Sequence, residues 1–111
     1  MTTLKSINPA TEELFAEFKE INLSSTDEII EESSDSQRKW ATVDISKRTK
    51  IISKISDFVR NNKEVFAEII TNEMGKPISE SIAEVEKCAW LCDYYVENGS
   101  SFLAEQSISS D

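Results

Sequence analysis

From Ile78 onward the apolar residues fall at Ile78, Ile82, Val85, Ala89, Cys92 and Val96, a 4-3-4-3-4 spacing. That interval draws one continuous apolar stripe along a helix of several turns. No other segment carries so long a periodic run, so the remaining elements are read in relation to it. Trp90, Tyr94 and Tyr95 add bulk beside the stripe, and Asn98-Gly99 is expected to end the helix at about residue 97.

The helix has a marked beginning. Gly75 stands one residue past Met74, the last periodic apolar position of the segment before it. A glycine there takes the left-handed conformation that closes a helix. Pro77 cannot continue that helix but suits the first turn of the next. Gly75-Lys76-Pro77 therefore reads as a helix stop and restart, with Lys76 placed to meet the last carbonyls and the negative end of the dipole.

Upstream, Val65, Phe66, Ile69, Ile70 and Met74 predict a helix over about 63–74, with Asn62 as its cap. Ile45, Ile51, Ile52, Ile55, Phe58 and Val59 predict another over about 45–61, capped by Asp44. Ser25 followed by Glu28 resembles a capping box, and a helix over about 26–40 follows, with Ile29, Ile30, Ser33, Gln37 and Trp40 on one side. Residues 4–8 and 14–18 read as two short strands around the turn opened by Asn8-Pro9, a hairpin over about 4–18. Two strands are marginal in water, so the hairpin needs a helix or a larger sheet to lean on. The expected fold is mostly α with an N-terminal β-hairpin, in a single segment over 1–111 without an internal repeat or linker.

Composition removes whole classes of chemistry. With 21 acidic and 12 basic residues, the net charge of -9 repels phosphate backbones and anionic membrane surfaces, so neither nucleic acid nor membrane is an expected partner. There is no histidine, which removes His-based triads, His general bases and most zinc sites. Two glycines, Gly75 and Gly99, are too few for a phosphate-cradling loop, and proline follows Gly75-Lys76 where such a loop has Ser or Thr. The opening residues carry no apolar run of the secretory type, so Asn22 and Asn98, each in an Asn-x-Ser sequence, are read as chance, and the two cysteines as reduced thiols in the cytoplasm.

The remaining candidates favour scaffold. Cys88 and Cys92 share a helix face, but further metal ligands, suitable disulfide geometry and a His base are all missing, so they read as buried small residues. Glu80 and Glu84 lie on one face in the first half of their helix, where acids favour the positive dipole end rather than acid–base work. Glu84 with Lys87, and Glu86 with its neighbours, read as surface pairs. Trp90, Tyr94 and Tyr95 read as core, with pocket lining as the alternative. No catalytic, cofactor-binding or metal-binding residue is assigned.

Taken in order, "INPATEE", "SKRTKIISKISDFVRNNKEVFAEIITNEMGKP" and "ISESIAEVEKCAWLCDYYVENGSSFLAE" resemble the N-terminal portion of an NAD(P)-dependent aldehyde dehydrogenase, over about residues 5–106. "EVEKCAW" suits the succinate-semialdehyde dehydrogenase branch. The resemblance implies the N-terminal part of that α/β fold, lacking the nucleotide-binding core and the catalytic domain. It implies that the complete enzyme oxidises an aldehyde, succinate semialdehyde, to the acid with NAD or NADP through a cysteine thioester. This segment alone is expected to bind no cofactor and to be inactive. Its implied partner is the rest of the dehydrogenase chain, in a homo-oligomer when complete. The last helix is implied to run near the substrate entrance, with Trp90 or Tyr94 helping to shape it. One position departs from the family pattern: Glu12 stands where the first turn usually has glycine. The alternative reading is a catalytically inactive acidic helical binding module, self-associating or docking a partner helix through the stripe Ile78–Val96.

Overall fold

A computed structural model describes residues 2–110. Strands β1 (Thr3–Ile7) and β2 (Leu14–Lys19) precede helices α1 (Leu23–Ala41), α2 (Ile45–Asn61), α3 (Lys63–Met74) and α4 (Ile78–Phe102). The strands pair antiparallel from Thr3 opposite Lys19 to Ile7 opposite Leu14, with an irregularity between Ser6 and Ile7.

Helix α4 is the axis of the body. Both α2 and α3 lie along it, while they touch each other little beyond their junction. The face they cover carries the buried Ser81, Val85 and Ala89, and Ala67 of α3 and Ser56 of α2 are buried as well. Small residues at these points let the helix axes approach closely. The covered stripe is thus the one the spacing picks out, with Ser81 added and Ile78 left 47% exposed. Being covered from within, it is not the free docking face that a stand-alone binding module would need.

The helix ends differ from the sequence reading at four places. Helix α1 starts at Leu23, not Thr26, because Asn22 is the cap: its Oδ1 accepts from Ser25 N at 2.8 Å. Ser25 is therefore a capped residue rather than the cap, and Glu28 has no part in it. Asn62 turns backward, donating from Nδ2 to Phe58 O at 2.8 Å, and closes α2 instead of capping α3. Helix α4 runs through Asn98-Gly99 to Phe102, with Asn98 Nδ2 bonded to Tyr94 O. A mid-helix glycine costs only about 1 kcal/mol relative to alanine, which a continuing helix tolerates. Lys76 reaches forward to pair with Glu84 rather than back to the carbonyls of α3.

Gly75 itself is left-handed, with φ 72 and ψ 17, and its N–H closes on Thr71 O. The hairpin docks here. A Cβ on Gly75 would lie 2.8 Å from Pro9 Cγ. Beside that contact Asn8 Nδ2 donates to Asn72 Oδ1 at 3.3 Å, and Ser6 Oγ to Glu73 Oε1 at 3.2 Å. The two short motifs around Asn8-Pro9 and Gly75-Lys76-Pro77 are therefore two sides of one seam. Within the hairpin turn Asn8 Oδ1 accepts from Ala10 N at 2.9 Å and Thr11 N at 3.3 Å, and Glu12 N reaches Asn8 O at 2.8 Å. The turn is formed, but Glu12 is held at φ 61, a conformation that favours glycine.

The whole is far from compact. Its radius of gyration is 19.5 Å, against about 13 Å for a globular chain of this length. Its solvent-accessible surface is 9131 Å², about half as much again as the ~6,200 Å² of a compact monomer of this mass. Helix α1 contains no buried residue, and Leu4, Ile7, Leu14, Phe15 and Phe18 of the hairpin are all exposed.

Two substitutions at the seam should act in opposite directions. Gly75→Ala meets both the left-handed backbone and Pro9, and is expected to destabilise hairpin docking by about 1–2 kcal/mol. Glu12→Gly relieves the turn and is expected to slow exchange of the Asn8 amide roughly two-fold, glycine's larger unfolded-state entropy offsetting part of the gain. Hydrogen exchange across Thr3–Lys19 checks both.

Candidate functional site

Three groupings of side chains are candidates: the thiols on α4, a charged joint between α2 and α4, and an apolar cleft between α2 and α3.

Cys88 is exposed and Cys92 half-buried, and both are free thiols, so Cys88 is not the buried small residue expected. Neither has an imidazole to activate it, since the chain has no histidine. Among the described residues no group of three His, Cys, Asp or Glu side chains could hold a metal ion. Trp90, Tyr94 and Tyr95 are 61%, 49% and 50% exposed, so they are outward-facing rather than core. Tyr94 makes an edge contact with Tyr95 and a tilted one with Phe102, at 5.5 and 5.9 Å between ring centroids.

The joint is built around Arg60, near the end of α2. Its Nε donates to Glu86 Oε1 at 2.8 Å, its Nη1 to Ser56 Oγ at 2.8 Å and its Nη2 to Asp93 Oδ2 at 2.5 Å. Ser56 Oγ lies 2.6 Å from Asp93 Oδ1 and 3.2 Å from the Ala89 carbonyl. It has one proton to give, and the nearer, charged Asp93 is the better acceptor. Glu86 and Asp93 are seven apart on α4, so both reach α2 from the same side. Arg60 and then Ser56 hold the Asp93 carboxyl below the ordinary carboxylate range, against the opposing effect of burial. The two carboxylates in turn hold the guanidinium more firmly protonated than usual. Ser56, Arg60 and Asp93 carried no local sign of their pairing in the sequence, because the partners are 33 and 37 positions apart. Glu86 was read as a surface acid with neighbours of its own helix; its partner is on α2. Across α4 a matching contact, Thr71 Oγ1 to Ser81 Oγ at 2.9 Å, ties α3.

The cleft is lined by Val59 of α2, by Phe66, Ile69 and Ile70 of α3, and by Val85 and Cys88 of α4. It holds about 370 Å³ and no polar atom lines it. A shallower groove on α1, between Ile29 and Trp40, is bordered by Glu32, Ser33, Ser36 and Gln37.

These arrangements can hold helices together and bury apolar groups; they supply no nucleophile–base pair. Because the folded pKa of Asp93 is depressed, its contribution is complete above the unfolded value and is lost as pH falls through the folded one. The joint should thus keep this contribution in full from neutrality to about pH 4 and lose it progressively as the pH falls further. Arg60→Lys replaces a three-way fork by a point charge and is expected to speed amide exchange in α2 and α4 at neutral pH. An NMR pH titration of both forms checks this.

Comparison with known proteins accounts for the fold. The profile described as "Aldehyde dehydrogenase family" matches residues 1–111. The chain is 36% identical over 98 residues to the NAD(P)+ succinate semialdehyde dehydrogenase Sad of Escherichia coli (strain K12), spanning 88% of this chain and 21% of that one. It is 34% identical over 109 residues to aldehyde dehydrogenase family 7 member A1 of Pisum sativum, spanning 94% of this chain and 22% of that one. Among solved structures, succinic semialdehyde dehydrogenase from Streptococcus pyogenes, in complex with NADP+, superposes with a TM-score of 0.89 at 27% identity, over 96% of this chain and 24% of that one. The chain thus spans about a quarter of the length of the relatives it matches, and its hairpin and helices are an N-terminal part of their fold. The chain belongs to the aldehyde dehydrogenase family.

Proposed function

We propose that this chain is the N-terminal part of a dehydrogenase that, when complete, oxidises an aldehyde to the acid with NAD or NADP, the aldehyde being succinate semialdehyde. The observation that carries this reading is agreement of shape. An elongated, incompletely covered arrangement of six elements superposes at a TM-score of 0.89 on a quarter of a succinic semialdehyde dehydrogenase. Sequence identity of 36% to the dehydrogenase Sad supports the same substrate class.

Within that enzyme the chain's part is architectural, and no catalytic, cofactor-binding or metal-binding residue is assigned to it. Its residues do not fit a dinucleotide. The space beside Gly75 is filled by Pro9, and Gly99 lies inside a helix with Thr49 Cγ2 3.7 Å from where its Cβ would be. Neither glycine leaves backbone open to a pyrophosphate, so no step of hydride transfer is given to this chain. Its partner is the remainder of the polypeptide, in an enzyme taken to be a cytoplasmic homo-oligomer. Free Cys88 and Cys92 suit a reducing compartment, and a charge of -9 turns away nucleic acid and anionic lipid. No helix among the described residues is long and apolar enough to cross a membrane.

The isolated chain is expected to give no aldehyde-dependent NAD(P)H above a protein-free blank. A chimera in which it replaces the matching residues of Sad is expected to reduce NAD(P)+ with succinate semialdehyde. A soluble, assembled chimera that is silent with succinate semialdehyde would overturn the reading.

A further inference from the structure

We propose that Asn98-Gly99 is a site of spontaneous covalent modification, where the chain converts the Asn98 amide to a carboxylate whenever the last turn of α4 opens. Asn98 is the one asparagine of six that glycine follows. Glycine has no Cβ, so nothing crowds the approach of its backbone nitrogen to Asn98 Cγ, and its backbone reaches conformations closed to other residues. The Gly99 nitrogen gives its proton to solvent and bonds to Asn98 Cγ. The Cγ–Nδ2 bond breaks, and Nδ2 takes up a proton and leaves as ammonia. Water then adds to the cyclic imide and opens it at either carbonyl. The products are aspartate at position 98 and isoaspartate, whose main chain runs through the side-chain methylene. Water is the one co-reactant, and nothing is oxidised or reduced.

The structure supplies the gate. Gly99 lies within α4, so its N–H belongs to the helical ladder, and Asn98 Nδ2 is engaged with Tyr94 O at 2.9 Å. While the turn is closed the two reacting groups are occupied elsewhere. Little holds it closed. Leu103 N reaches Gly99 O at 3.2 Å and Ser101 Oγ reaches Asn98 O at 2.8 Å, and residues 100–104 are all exposed. Among the described residues no hydrogen bond from another element reaches this turn. Helix ends of this kind open at little cost, and glycine favours a helix less than any residue but proline. The product does not restore the turn. A carboxylate at position 98 has no proton to give Tyr94 O and meets the negative end of the helix dipole. The extra main-chain methylene of isoaspartate breaks the helical repeat. Conversion therefore draws α4 back toward Glu97 and parts Phe102 from Tyr94, whose rings are 5.9 Å apart in the closed helix.

The test is to incubate the full chain at neutral pH and body temperature and to follow each asparagine by peptide mass spectrometry, with isoaspartate counted separately. Asn98 is expected to convert at least roughly ten-fold faster than Asn61, Asn62 or Asn72, which lie deeper in helices or at a capped junction and precede bulkier residues. Two variants separate the chemistry from the gate. In Gly99→Ala the new Cβ stands 3.7 Å from Thr49 Cγ2, an ordinary contact, and the backbone there is not left-handed, so the helix keeps its form. Conversion is expected to slow at least roughly ten-fold. Leu103→Pro removes the N–H that closes on Gly99 O, crowds that carbonyl, and costs no core, since Leu103 is 63% exposed. It leaves Asn98-Gly99 intact and is expected to speed conversion at least roughly three-fold. Asn98 converting no faster than Asn72, or at an unchanged rate in Gly99→Ala, overturns the site. An unchanged rate in Leu103→Pro overturns the gate.

Discussion

The arrangement of the helices depends on how α2 is held to α4. Ser56 is small enough to bring α2 against the Ala89 carbonyl, and that approach places Arg60 between Glu86 and Asp93. A hydrophobic contact alone would let α2 slide along a stripe made of similar residues. A planar fork with three acceptors at fixed distances sets the register. The Arg60 side chain is one-third exposed, so the joint avoids the full desolvation cost of a buried ion pair while still excluding most water. Helix α3 is tied on the other side by two hydroxyls, and the cleft is what remains between them.

This division of labour explains which parts of the fold were legible in the sequence. Gly75, Pro77 and the stripe of α4 are local features: each states its conformation or its buried side within a turn or two. The residues that fix the helices together are not local. Ser56 and Ser81 look like solvent-facing residues by type, yet each is at most 1% exposed, because close helix packing selects small side chains and then satisfies their hydroxyls. Arg60 and Asp93 become partners only when α2 folds back on α4. Within Asn22–Thr26 the sequence offers an amide and three hydroxyl residues as caps, and periodicity alone does not choose among them. Of the candidate site, the absence of an activating base was legible from composition. The cleft was not, because its lining residues read individually as core.

The aromatic and aliphatic residues left in water carry the same lesson. Phe58, Val65, Trp90 and Leu91 are apolar residues on helices, and each is more than half exposed. Periodicity reports that a residue is to be covered; it does not say that the cover lies in the same 111 residues. A chain that spans a quarter of its relatives keeps the patterning of the whole, so its apolar stripes outnumber the partners it can offer them.

The seam between Pro9 and Gly75 has a consequence for the order in which the chain assembles. Ser6 and Glu73 are 67 positions apart, so joining them closes a loop that contains α1, α2 and most of α3. Closing a loop of that length costs about 4 kcal/mol in chain entropy beyond a constant. Two hydrogen bonds longer than 3 Å, one of them an exposed contact to a carboxylate, and one proline contact scarcely exceed that. Helices α3 and α4, by contrast, meet across a link of three residues, Gly75 to Pro77. The α3–α4 pair is therefore the natural nucleus, and the hairpin joins last. In reverse, the seam is the first contact to open, which frees the hairpin from Gly75 while the three-helix body stays closed.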